Sequence, residues 1–417
     1  MTAPRRPPKL DLRAFQSAPA PTRRTVPLAL LDTHLHLWTA AQLDSGLVKW
    51  PAESGPAQLS GPHTLEDYHQ ITTDGLKSVG GGKPHFTGVV YVQAEAEHDD
   101  LDSDGSKGGW DASIDEVDRV CKAALEKPDA KVVAIVPWTP LHHGATAVSS
   151  FLNRVLALPS VAALAAHLGY PPIRSMRYLL QSSPRGFFLT DGFISGLKEL
   201  GRRGIAFDLT LDVRNEENGG LQVLDDAQEM IAKVRDGQAA GEETVFILDH
   251  FSKPSLADSI FSTPTRHSPF HTAYLTSLYA LALLPSVYLK LSGFLDFAPP
   301  ELIRGAFEDF KRKEKGRESK YGTLRERVGS YLEPAVEAFG TGKILVGSDW
   351  PMFRPHLFPA SHTSPSAPAS SAADEAAAWA FEMQLYLDCC TSLGLEGDDL
   401  DAIFAGNARR VYKLGRE

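Results

Sequence analysis

Short apolar runs recur along the chain, and most are followed by a stretch with helical spacing. The runs cover 27–33, 86–93, 131–136, 173–179, 204–209, 244–248, 287–291 and 343–347, the fourth being the least apolar. They are continuous rather than alternating, the mark of strands buried on both faces in a parallel sheet. Helices are predicted over 113–125, 147–168, 191–200, 221–234, 272–284 and 324–339, with two more, 372–393 and 400–414, closing the chain. In the first, Ile114, Val117, Val120, Cys121 and Leu125 recur at helical spacing. Strand–helix alternation of this kind predicts an α/β fold, a (β/α)8 TIM barrel. A doubly wound sheet is the alternative. A nucleotide-binding one usually places a glycine-rich phosphate turn after its first strand, where this chain has His34-Leu35-His36-Leu37-Trp38.

Residues 1–28 are rich in Pro, Arg and Ala, lack an apolar signal core, and read as a flexible tail. Residues 29–417 read as one barrel domain, with long loops at about 40–83, 294–322 and 359–373, the last rich in Ser, Ala and Pro. The 417 residues carry a formal charge of −10, which argues against a nucleic-acid partner. No apolar run approaches the ~20 residues of a membrane helix. The three cysteines, Cys121, Cys389 and Cys390, form no metal-binding or disulfide spacing and fit a reducing, cytoplasmic setting. A homo-oligomer is compatible with this composition.

In a (β/α)8 barrel every strand ends at one mouth, so the polar residues at those ends are the candidate chemistry. They are His34 and His36, Gln93 and Glu95, Arg177 with Gln181, Asp208 and Asp212, Asp249 and His250 with Lys253, Lys290 and Ser292, and Ser348 and Asp349 with Trp350. His34 and His36, at i and i+2, share a strand face. His34, His36, His250 and Asp349 match a mononuclear site of nitrogen and oxygen ligands. They match equally a metal-free cluster with a carboxylate base and water-positioning imidazoles. A zinc-sized ion requires the ligand atoms to lie about 3–4 Å apart, and His250 to face the mouth.

Several residues have blander readings. Asp32 is expected to cap the turn, Asp249 to hydrogen-bond locally, and Asp208 and Asp212 to form salt bridges in the barrel as readily as to act. Trp38 and Trp350 read first as rim packing. Arg177, Gln93, Lys290 and Trp350 are the candidate substrate contacts, with arginine suited to gripping a carboxylate or hydroxyl.

The motifs Leu31-Asp32-Thr33-His34-Leu35-His36-Leu37-Trp38, Leu248-Asp249-His250-Phe251-Ser252-Lys253-Pro254, Lys290-Leu291-Ser292-Gly293 and Gly347-Ser348-Asp349-Trp350-Pro351 occur in this order. Together they resemble the amidohydrolase-related family, and within it the branch of sugar lactonases and the pyrone-dicarboxylate lactonase. The resemblance spans roughly residues 29–414. It implies a metal-dependent-hydrolase-like barrel that opens a sugar or carboxylated lactone. On it, Asp349 is the general base, and His34, His36 and His250 line the carbonyl-activating site. One divalent ion, zinc first, is implied as a cofactor, although members of the family differ in needing it. The chain departs from the dinuclear amidohydrolases in offering Arg177 on its fourth strand rather than a lysine able to bridge two metals. It departs from nearer relatives at Phe251-Ser252, where glycine is common. Two other readings are a zinc-dependent decarboxylase of the same superfamily and a non-catalytic barrel that binds a small molecule. Asp349 counts against the second, since a binder has no use for a base.

Overall fold

The computed structural model describes residues 27–98, 109–261, 268–358 and 370–415. The strands are β1 (Ala29–Leu35), β2 (His85–Val92), β3 (Val132–Val136), β4 (Ser175–Leu179), β5 (Ala206–Thr210), β6 (Phe246–Leu248), β7 (Val287–Leu291) and β8 (Ile344–Val346). Each pairs in parallel with its neighbour in sequence, within the groups β1–β3 and β4–β8. Parallel bridges Ile135–Ile173 and Trp138–Arg177 join β3 to β4, and Leu35–Trp350 joins β8 to β1. The ring is therefore closed, as the alternation of runs predicts. At the β8–β1 seam, His36 N donates to Trp350 O at 2.9 Å and Asp349 N to His34 O at 2.9 Å.

The two-residue strand period sorts side chains between the barrel interior and the helix layer. Leu31, Val90, Val92, Ala134, Val136, Ala206, Ile247 and Leu345 form an inner cluster, joined by Ala405, Ala408, Val411 and Tyr412 from the C-terminal segment. The same parity continues toward the mouth: Asp208 and Thr210 follow Ala206, and Asp249 follows Ile247.

Two helical expectations change. The stretch 147–168 is two helices, Gly144–Leu156 and Pro159–Leu168, crossing at 73°. Pro159 lacks an N–H and fits the first turn of a new helix better than the interior of an old one. The stretch 400–414 is likewise interrupted, by a wide turn over Ala402–Gly406 before Asn407–Val411. The segment 40–83 contains the first outer helix, Leu65–Gly75, opened by a reciprocal cap between Thr64 and Asp67. The segment 294–322 contains Pro300–Arg312. The expected tail up to residue 26, and the low-complexity stretch over 359–369, lie outside the described residues. Among the described residues no single helix is long and apolar enough to cross a membrane.

Candidate active site

β1 delivers the first two histidines. Its pairing with β2 shifts register between Asp32 and Leu35. Asp32 is fully buried there and accepts bonds from Ser348 N (2.8 Å), Tyr68 Oη (2.7 Å) and Trp379 Nε1 (3.3 Å). It also accepts from His34 N at 3.2 Å, the expected turn cap, and in addition ties β1 to the segment after β8. His34 and His36 face the same way, with their Nε2 atoms 3.1 Å apart. His36 Nδ1 donates to Val92 O at 2.9 Å, which leaves its Nε2 lone pair toward the mouth.

β6 delivers the third. Residues 250–253 all have φ between 53° and 59°, a left-handed turn that non-glycine residues rarely adopt. The turn brings His250 round to the mouth, where Ser292 Oγ holds its Nδ1 at 2.8 Å. Asp349, also left-handed at φ 55°, follows β8. Its carboxylate lies 3.4 Å from His36 Nε2, 3.6 Å from His34 Nε2 and 3.7 Å from His250 Nε2. Gly293 closes the space behind: a Cβ there would stand 2.9 Å from both Asp349 Oδ2 and His250 Nδ1, on a backbone at φ +66°.

The ring of His34 separates this group from a second one. Lys290 Nζ donates to His34 Nδ1 at 3.1 Å and lies 2.5 Å from Asp208 Oδ2 and 2.8 Å from Asp249 Oδ1. Ser175 Oγ (2.7 Å) and Tyr412 Oη (3.1 Å) donate to Asp208, and Thr210 Oγ1 (2.6 Å) to Asp249. All three ionic side chains are fully buried. Asp249 therefore bonds across the barrel, through residues distant in sequence, rather than locally. Asp212 stands apart, paired with Arg214 at 2.8 Å.

Burial presses His34 well below its ordinary range, and the Lys290 charge adds to this. Burial likewise lowers His250 to about 4. Both rings are neutral at pH 7. Burial disfavours a charge on Asp349, but the surrounding imidazoles outweigh it and hold the carboxyl well below the usual range. Burial also works against charge on Lys290, and Asp208 and Asp249 more than offset it, keeping the ammonium charged. Desolvation pushes Asp208 up, whereas Asp249, facing both Lys290 and His34, is held well below its ordinary value despite its burial.

A cavity of about 310 Å³ opens above the first group, lined by His36, Asp349, His250 and Thr210 on its floor, with Arg177, Glu95, Gln181 and Lys253 among the polar walls. Trp50, Leu179 and Met352 add apolar surface. Arg177 faces this space, donating to Gln93 O at 3.1 Å with Glu95 Oε1 3.8 Å away. Three expected substrate contacts are placed elsewhere. Lys290 lies beneath His34. Gln93 is 1% exposed and bonds to Glu95. Trp350 is wholly buried, its ring packed on His63 (5.3 Å) and Tyr68 (5.8 Å), so its packing role stands. Thr210, Leu179 and Met352 at the cavity escape sequence reasoning. Thr210 is legible from inward parity with Asp208; Met352 carries no comparable signal.

The donor set fits a divalent metal. Asp349 Oδ1 is buried and accepts no hydrogen bond among the described residues. Ligand atoms of His34, His250 and Asp349 lie within 4.8 Å of one another, and the measured separations of 3.1–3.7 Å fall in the expected range. His34, His250 and Asp349 would hold the ion, while His36, which the sequence also offers as a ligand, stands outside this mutually close group and meets only His34 Nε2 (3.1 Å) and Asp349 Oδ1 (3.4 Å). Ligation by His34 Nε2 calls for Nδ1–H, so Lys290 would have to give up its hydrogen bond to Nδ1 and the ring proton would turn on Asp249 Oδ1, 3.5 Å away.

A family model described as amidohydrolase matches residues 31–414, and the chain belongs to that family. It is 24% identical over 399 residues to an L-rhamnono-gamma-lactonase from Scheffersomyces stipitis, covering 92% of this chain and 98% of that one. An L-fucono-1,5-lactonase from Burkholderia multivorans is 24% identical over 226 residues, 54% of this chain and 59% of the relative. A crystal structure of an amidohydrolase from Burkholderia multivorans with bound zinc superposes with a TM-score of 0.58 at 21% identity, covering 93% of this chain and all (100%) of the other. This likeness confirms the barrel.

Proposed function

We propose that the protein is a hydrolase that opens a sugar lactone, with Asp349 as general base. The observation that carries this is the Asp349 carboxylate, set among the imidazoles of His34, His36 and His250 at 3.4–3.7 Å, with its Oδ1 accepting no hydrogen bond among the described residues, at a cavity of about 310 Å³. The cavity walls suit a polyhydroxylated ring: Arg177 and Lys253 donate, Glu95 accepts, and Gln181 and Thr210 do either. The two curated relatives act on lactones of this kind by name.

Asp349 takes a proton from a water held against it. The water oxygen bonds to the lactone carbonyl carbon, and the carbonyl electron pair moves onto oxygen. That oxyanion forms beside His250 on the cavity floor, where an Nε2–H of that ring stabilises it; His36 presents a lone pair and does not donate. When bound, a divalent ion supplies Lewis-acid polarisation of the carbonyl. The tetrahedral adduct then expels the ring oxygen, which takes the proton back from Asp349. The product hydroxy acid ionises at neutral pH and releases one proton. Three buried free thiols fit a cytoplasmic location.

A panel of aldono-γ- and δ-lactones assayed with a pH indicator tests the reading, before and after chelation and zinc re-addition. Acidification that depends on Asp349 supports it. Alkalinisation with release of carbon dioxide from an aromatic acid would replace it by decarboxylation.

A further inference from the structure

The buried group on the far side of His34 is not part of the cavity. It has the composition of a metal site: His34, Asp208 and Asp249 each offer a ligand atom, all within 4.8 Å of one another and all buried. Yet a cation is already there. Lys290 Nζ stands 2.5 Å from Asp208 Oδ2, 2.8 Å from Asp249 Oδ1 and 3.1 Å from His34 Nδ1. Asp249 Oδ1, fully buried and aimed at the ammonium, accepts no hydrogen bond of good geometry from it or from any other described residue. That is how an oxygen sits against a point charge. Ser175, Thr210 and Tyr412 turn the remaining carboxylate lone pairs outward and fix both acids in place.

We propose that Lys290 is a built-in cation occupying a second metal site, and that it limits this barrel to a single metal at the mouth. Two carboxylates and one imidazole nitrogen would take a borderline divalent ion such as Zn²⁺ or Mn²⁺ once the ammonium is gone. Such an ion would need its ligands at about 2.0–2.2 Å, a contraction of under ~1 Å from the ammonium distances. Lys290→Ala removes three methylenes and the nitrogen, which leaves room for it. His34 would then lie between two ions as an imidazolate, its ring proton released to solvent. The inference concerns the barrel interior and stands whether or not the substrate is a lactone.

The test is metal content per chain, by plasma mass spectrometry, after dialysis against Zn²⁺ or Mn²⁺ and removal of free ion. Wild-type protein is expected to hold at most one equivalent. Lys290→Ala is expected to hold one more than wild type, and Lys290→Ala/Asp208→Asn to lose that additional equivalent. Lys290→Met fills the space without charge and is expected to match wild type. If Lys290→Ala does not fold alone, refolding with Zn²⁺ or Mn²⁺ is expected to recover it and to raise its melting temperature more than that of wild type. The proposal is overturned if Lys290→Ala takes up no additional metal, if the gain persists without Asp208, or if neither ion recovers an unfolded variant.

Discussion

The two faces of one histidine ring meet opposite designs. On the Nε2 side stand His36, His250 and Asp349, bordering a cavity, with a carboxylate oxygen left without a donor. On the Nδ1 side Asp208, Lys290 and Asp249 are sealed from water and held by Ser175, Thr210 and Tyr412. Residues of the same types therefore do different work. Buried charges that are paired and hydrogen-bonded fix geometry, while an open valence at a cavity is available for chemistry. The contrast warns against reading every acid at a strand end as catalytic.

The largest effect should come from the open side. Asp349→Asn is nearly isosteric and removes the proposed base, so kcat should fall ~10²–10⁴-fold with little change in melting temperature. Near wild-type turnover on the best lactone would erase the distinction between the two groups. On the closed side, Lys290→Met in metal-free protein leaves two carboxylates without their cation. Breaking a buried pair costs about 3–5 kcal/mol, so denaturant unfolding should show a loss of that order. A loss below ~1 kcal/mol would mean the lower group is not the rigid base described.

A smaller effect belongs to the cavity wall. Arg177→Gln should raise KM by roughly 10–100-fold, the worth of a charged hydrogen bond, and change kcat less. An equal fall in kcat with KM unchanged would place Arg177 in the reaction itself. The smallest effect is a pH slope. Glu116 is fully buried, accepting from Tyr91 Oη (2.6 Å) and Ala94 N (2.7 Å), and burial raises its carboxyl from 4.5 to about 7. A raised folded value means the folded state keeps a proton that the unfolded state has lost. Its stabilisation is full below about 4.5 and disappears as pH rises through about 7. Glu116→Gln should flatten the decline of melting temperature across that window, and an unchanged slope would show that other groups set it.

Much of this was legible from residue order. The apolar runs located all the strands, because burial on both faces leaves an unmistakable pattern, and of the polar residues ending β1, β6 and β8 the structure brings His34, His250 and Asp349 together. Lys290 shows the limit. Its distance from the mouth depends on which inward layer it occupies, and a one-layer difference separates a substrate contact from a buried counter-ion. Trp350 was harder still, since only the fold brings His63 and Tyr68 against it. The left-handed turn at His250 has no sequence signature, because its residues lack the glycine or asparagine that usually marks one. The break at Pro159 was readable and simply needed the proline weighed above the apolar run.

The seam between β8 and β1 has a consequence for how the chain matures. Asp32, His34 and His36 are synthesised within the first tenth of the chain, and Ser348 and Asp349 only after four-fifths of it. The bonds from Asp349 N to His34 O and from Ser348 N to Asp32 lock the last strand beside the first. A nascent chain lacking the final strand lacks both this seam and Asp349, the proposed base. The activity proposed for Asp349 would therefore require a chain made through β8.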